Sequence, residues 1–146
     1  MPAQVDWIIP GQVIYQRWWG YATAIEAQQV NEQVHEMFAE YPNSPLIHNI
    51  INAQGQQGAE LKLHEIRKTY TILDDSRVGW IILIVDNIFL RFAANISLQI
   101  NRKARIHFIN SIDDWQSVLQ ERTSTIDWDK MKVDLISQFE ANAKLY

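Results

Sequence analysis

The sequence predicts an α/β domain built on a mixed, mostly parallel sheet with crossover helices. Short β-branched runs, "LIHNIIN", "WIILIV" and "RIHFIN", alternate with longer segments of helical periodicity. The first two runs are apolar without clean alternation, which marks strands buried on both faces. Parallel neighbours also need a long crossover between them, and the intervening helical segments supply it.

Taken in order, "VDWII" and "QVIYQRWW" are β-branched and aromatic and are separated by Pro10-Gly11, so they read as two antiparallel strands joined by a turn. Gly20 is expected to end the second. Thr23-Ala24-Ile25-Glu26 has the form of a capping box, in which hydroxyl and carboxylate satisfy free amides at a helix start. Behind it Ala27, Val30, Val34, Met37, Phe38 and Tyr41 recur at helical spacing, and Tyr41-Pro42-Asn43 closes the helix. "LIHNIIN" follows as a strand. A glycine-bearing loop, Gly55 to Gly58, then leads into a shorter helix marked by Ala59, Leu63, Ile66 and Tyr70.

"DDSRVG" reads as a turn and "WIILIV" as an inner parallel strand. Asp86-Asn87 punctuates it before a helix burying Leu90, Ala93, Ala94, Ser97 and Leu98. "RIHFIN" is a further strand, and Ser111-Ile112-Asp113-Asp114 a weaker capping box ahead of Trp115, Val118 and Leu119. Met131, Leu135 and Phe139 step by four within Asp127 to Tyr146, which predicts one more amphipathic helix there. The expected order is ββαβαβαβα plus a C-terminal helix. Residues 1–122 form the domain, and residues 123–146 are a helical extension packed on it.

Composition narrows the role. The net charge is −4 and the pI near 5.5, which offers nucleic acid no concentrated basic face. Cysteine is absent, which removes disulfides, thiolate metal sites and a Cys nucleophile. Residues 80–100 are the most membrane-like segment, but Asp86, Asn87, Arg91 and Asn95 interrupt it, whereas a span needs about 20 nearly uncharged residues. The start "MPAQVDWIIPGQ" has no basic region followed by a long apolar stretch, so a cytoplasmic protein is expected.

"WIIPGQVIYQRWWGYAT", "LIHNIIN", "RVGWIILIVDNIFLRFAANI" and "RIHFINSIDDWQSVL" together resemble the SpoIIAA-like group of STAS domains, in particular small stand-alone bacterial members. The likeness runs from about residue 5 to residue 121, and its hallmarks are the order of elements, the Gly-Trp before the inner strand and the Ser-Ile-Asp-Asp helix start. The resemblance implies a SpoIIAA-like (STAS) fold used as a docking or small-ligand module. Known members of the group are switched by phosphorylation in an Asp-Ser-Ser-Gly-like stretch after the strand that matches "LIHNIIN". This chain has no Ser or Thr between Pro45 and Lys68, and Asn52 stands where the acidic residue ends that strand. No hydroxyl is present there to accept a phosphoryl group.

The candidate ligand- or partner-binding residues are Asn52, Gln54, Gly55, Gln56 and Gln57, joined by Asp86 and Asn87. They lie where parallel strands end, the usual binding edge of an α/β sheet. A P-loop would require Lys and Ser/Thr after the last glycine, and Ala59-Glu60 follow instead. A plain connecting loop therefore stands beside the binding reading, as a helix N-cap does for Asp86.

His64-Glu65-Ile66-Arg67-Lys68 begins like a zinc-protease motif but lacks its second histidine. His48 and His107 meet only if their strands are neighbours, and buried neutral histidines are the simpler expectation. No metal site, cofactor, nucleophile elbow or carboxylate pair is assigned. Among six tryptophans, Trp7 and Trp80 are expected in the core. The consecutive Trp18 and Trp19 must point to opposite faces, so one lines a groove or subunit contact unless both faces are covered. The functional expectation is a non-enzymatic interaction module in bacterial signalling or regulation, docking a protein partner without the Ser/Thr switch. The alternative is a binder of a lipid, nucleotide or other anion. Homodimerisation through the tail helix or Trp18/Trp19 is a further expectation.

Overall fold

A computed structural model describes residues 3–59, 71–86 and 105–145. The helices expected over Ala59–Tyr70 and beyond Asp86 lie outside the described residues, apart from Ala59 itself.

Five strands form the main sheet in the order β1-β2-β4-β6-β7: β1 (Ala3–Ile9), β2 (Val13–Trp18), β4 (Ile47–Asn52), β6 (Val78–Ile84) and β7 (Arg105–Ile109). β1 and β2 are antiparallel, and β2, β4, β6 and β7 run parallel. The hairpin closes where Gln12 donates its amide to the Ile9 carbonyl at 3.0 Å, with Pro10 and Gly11 at the two central turn positions.

Helix α1 (Ala24–Glu40) covers one face. The hydroxyl half of its expected capping box is formed, Thr23 Oγ1 accepting the Glu26 amide at 3.2 Å, while the Glu26 carboxylate takes that hydroxyl at 2.8 Å. Arg77 closes the other end, donating from Nη1 to the Phe38 and Tyr41 carbonyls at 3.2 and 3.0 Å, where a cation also suits the helix dipole. Val30, Val34 and Phe38 pack against Ile14, Trp18 and Ile47 on this side.

The opposite face is covered by the end of the chain. Helix α2 (Trp115–Arg122) and helix α3 (Leu135–Ala143) bury Trp115, Leu119, Leu135 and Phe139 against Val13, Tyr15, Ile50 and Ile82. The tail differs from the single helix expected over Asp127–Tyr146. A 3-10 turn, Trp128–Lys130, comes first, and the helix begins only at Leu135. Lys132 explains the break, because its amide donates to Ile8 O at 2.8 Å and is diverted to the sheet instead of a helical ladder.

Two further corrections concern strands. β2 stops at Trp18, and Gly20, with φ +60°, opens a short strand β3 (Gly20–Ala22) instead of ending the hairpin. β3 pairs in parallel with β5 (Gln56–Ala59), a strand where a loop entering a helix was expected. "QQGA" has no apolar alternation to announce it, so pairing with a distant segment decides its state.

The Gly-Trp pair before the inner strand also finds its reason. The His48 ring lies over Gly79, where an added Cβ would stand 2.4 Å from Nδ1. That Nδ1 accepts the Trp80 amide at 2.8 Å, across an irregularity in the β4–β6 register between Ile47 and Asn49. Burial, with a smaller contribution from Arg105, pushes the imidazole down to a pKa of about 4, so the ring is a neutral acceptor at physiological pH.

Gly79→Ala is expected to lose about 1–3 kcal/mol in urea unfolding through overpacking. The same change in a His48→Ala background is expected to cost far less, and an unchanged penalty there would refute the steric account. His48 binds its proton more weakly when folded, so its contribution is complete above about pH 6.5 and falls as the pH drops toward 4. Replacing it by Gln is expected to flatten the stability–pH slope in that window.

Candidate functional site

The four parallel strands end at one edge, where β4 runs into the turn Ala53-Gln54-Gly55-Gln56. Gln56 donates its amide to the Ala53 carbonyl at 3.2 Å, and Gly55 has φ +76°, the left-handed conformation that this turn requires at its third residue. The turn is fixed from several sides. Ala53 donates to Ile84 O at 2.8 Å, Gln54 Nε2 to Asn110 O at 2.8 Å, and Gly55 N–H to the Asp86 carboxylate at 3.1 Å. The Gln54 amide is taken by Asn52 Oδ1 at 3.1 Å. Each amide from Gln54 to Gln56 therefore has an acceptor within the chain.

Beneath the turn lies a buried polar network. Asn52 is fully buried, and its Nδ2 donates to the Tyr15 hydroxyl at 3.0 Å. Tyr15 stacks on Phe139 of α3 with ring centroids 5.7 Å apart. Burial pushes its pKa up to about 12 against the opposing effect of the Asn52 hydrogen bond, so the phenol stays neutral. Arg17, two residues along the same strand face, is buried. Its Nε meets Glu140 Oε1 of α3 at 2.5 Å, and its Nη1 donates to the carbonyls of Gln54 at 2.7 Å and of Trp18. One guanidinium thus joins the tail helix, the end of β2 and the turn.

The predicted site residues divide sharply. Asn52 is not a pocket lip but an interior bracket, because its whole side chain is spent on Tyr15 and the turn. Gln54 is half-buried, its carbonyl taken by Arg17 and its side-chain amide donating to Asn110 O. Gly55 and Asp86 are exposed, and Gln56 is half-buried. Gln57 belongs to β5, and Asn87 lies outside the described residues, as does the helix that Asp86 was read to cap. Trp18 and Trp19 are both buried within one chain, at 4% and 8% exposure, so neither offers the groove or dimer surface expected of it. Trp18 packs in the core under α1, and Trp19 lies one residue past the end of β2, so the two are not strand neighbours on opposite faces.

His48 and His107 stand on β4 and β7, which β6 separates, so they do not meet. His107 Nδ1 instead lies 3.0 Å from Arg122, whose guanidinium also stands over Trp80, itself only partly buried. Among the described residues one hydroxyl–imidazole pair forms, Thr71 Oγ1 and exposed His35 Nε2 at 2.9 Å. Asn31 brackets the same turn, donating to Thr71 Oγ1 at 3.2 Å and accepting the Ile72 amide at 3.1 Å, which makes this an anchor of the 3-10 turn Thr71–Asp74 on α1.

Several residues at this edge escaped the sequence reading: Tyr15, Arg17, Glu140, and the exposed Tyr21 and Ile25. Arg17 carried a signal, since a charge inside "VIYQRWW" needs a partner once both sheet faces are covered. Tyr21, 56% exposed, sits on β3 opposite Gly58 of β5, and Ile25, 69% exposed, lies in the first turn of α1.

No protein-family model matches the chain, and no curated protein matches it. Among solved structures, it is similar to an uncharacterized protein of the DUF3478 family from Shewanella loihica PV-4, which has a SpoIIAA-like fold. The TM-score is 0.61 at 12% identity, over 80% of this chain and 91% of that one. The fold of the present chain is SpoIIAA-like: a mixed α/β domain on a mostly parallel five-stranded sheet. No helix among the described residues is long and apolar enough to cross a membrane.

Glu140→Gln leaves the buried Arg17 without a counter-charge. A loss of about 2 kcal/mol is expected, below the full cost of breaking a buried pair because Glu140 is one-third exposed. Hydrogen exchange is expected to accelerate across Leu135–Ala143 and at the Gly55 turn together; acceleration in the helix alone would argue against the shared anchor.

Proposed function

We propose that the chain is a non-enzymatic interaction module that docks a protein partner at the carboxyl-end edge of its sheet, around residues 52–58 and the start of α1. One observation carries this reading: the turn is held rigid from within while Tyr21 and Ile25 stand exposed beside it. A preorganised surface loses little conformational entropy on binding, and exposed aromatic and aliphatic side chains provide apolar area for a contact. The absence of any Ser or Thr from Pro45 to Lys68 makes this a docking surface without a phosphoryl switch in that segment.

Binding of a nucleotide, lipid phosphate or other anion has weaker support. The Asp86 carboxylate already occupies the Gly55 amide, the group that an anion at this turn would need, and its own charge repels such a ligand.

The test is affinity capture from native lysate with wild-type protein and a Tyr21→Ser/Ile25→Ser variant of unchanged circular dichroism. The wild type is expected to retain a discrete protein that the variant loses. Equal recovery by both would reject this surface. A saturable thermal shift with nucleotide or inorganic phosphate, abolished by Gly55→Pro but kept in the double variant, would replace docking with anion binding.

A further inference from the structure

A second surface lies away from this edge, where β1 turns into β2 and α1 ends. A cleft of about 450 Å³ opens between them. Trp7, Met37 and Tyr41 line its apolar side, with Trp7 and Tyr41 packed edge to face at 5.1 Å. Asp6, Glu36 and Glu40 supply its polar side. Glu36 and Glu40, four residues apart on α1, project side by side, an arrangement of like charges that an isolated helix disfavours. Glu40 is steadied by the Trp7 indole, which donates to Oε2 at 3.3 Å.

The chain itself indicates what suits this cleft. Lys132, from the segment leading into α3, is the one cation among the described residues that line it, and its Nζ lies 3.6 Å from Asp6 Oδ2. Both side chains are nearly half exposed, at 47% and 46%, so the pair is solvated and weakly held. Among the described residues three carboxylates therefore line the cleft with one loosely placed ammonium, beside a surface able to take an alkyl stem. Lysine and arginine side chains combine those two properties, an apolar stem and a charged head, and their cations are further favoured near aromatic rings.

From this charge complementarity we infer that the cleft is a docking groove for a basic segment of a protein partner, seating a lysine or arginine stem against Met37 and Tyr41 with its charge on Glu36 and Glu40. Lys132, held on Asp6 in the same cleft, opposes an incoming cation by its own charge. The groove stands on different residues from the carboxyl-end edge, and either site can fail without the other.

The full-length protein, ¹⁵N-labelled and at low ionic strength, would be titrated with the blocked peptide acetyl-Gly-Lys-Gly-Lys-Gly-amide while the Trp7 indole N–H resonance is followed. A saturable shift is expected, absent with the Gln-for-Lys peptide and weakened as salt is raised. Glu36→Gln/Glu40→Gln should weaken binding by about tenfold and Lys132→Ala should tighten it by about threefold, opposite signs that a general loss of structure cannot produce. An unmoved indole resonance, or an affinity indifferent to the two glutamates, overturns the proposal. Tighter binding of spermidine than of the peptide would make this a small-amine site instead. A dimer seen by light scattering in the wild type and lost in Lys132→Ala would assign the groove to a second copy of the chain.

Discussion

A parallel sheet that is apolar on both sides has to be covered twice, and much of this molecule follows from that constraint. β2 sends Ile14 and Trp18 to one face and Val13 and Tyr15 to the other, and β4 likewise divides Ile47 from Ile50. Helix α1 satisfies the first face. The second is satisfied by α2 and α3, so the end of the chain is structural cover: Leu135 and Phe139 are core residues although they follow an irregular linker. Trp18 joins the core under α1, and Trp19, just past the end of β2, is buried as well.

Covering both faces also encloses a charge. Arg17 lies on the face that α3 closes, and a buried guanidinium must find acceptors or carry a large desolvation cost. It finds Glu140 on the helix and carbonyls at Trp18 and Gln54, so the group that made burial costly becomes the tie between tail and turn. Asn52 performs the neutral counterpart, bracketing Tyr15 below and the Gln54 amide above. The turn above them is fixed by these buried groups, with Asp86 holding it from outside.

The two proposed surfaces differ in kind. The carboxyl-end edge has its backbone donors spent internally, which leaves side chains such as Tyr21 and Ile25 as what a partner would meet. The cleft at the other end sets Asp6, Glu36 and Glu40 beside Lys132, so the recognition proposed there rests on charge, and that proposed at the edge on rigidity.

Much of the architecture was legible from local patterns. The Thr23 N-cap, the Pro10-Gly11 turn, the face of α1 and the apolar runs of β4 and β6 are dictated by neighbours a few residues apart, where propensity and periodicity act. The resemblance to SpoIIAA-like domains added the fold, and His48 over Gly79 gives the physical reason for its Gly-Trp hallmark. What lay beyond reach were states decided by distant partners. Gln56–Ala59 became a strand through Gly20–Ala22, Asn52 went inside through Tyr15, and Arg17 met Glu140 across more than a hundred positions of chain. The sequence by itself determined the five main strands, helix α1 and which of their faces are apolar, because those follow from short-range sterics and hydrophobic spacing. Only the tertiary structure decided which polar side chains are interior brackets and which are exposed, because that depends on partners chosen by the packing of the whole sheet.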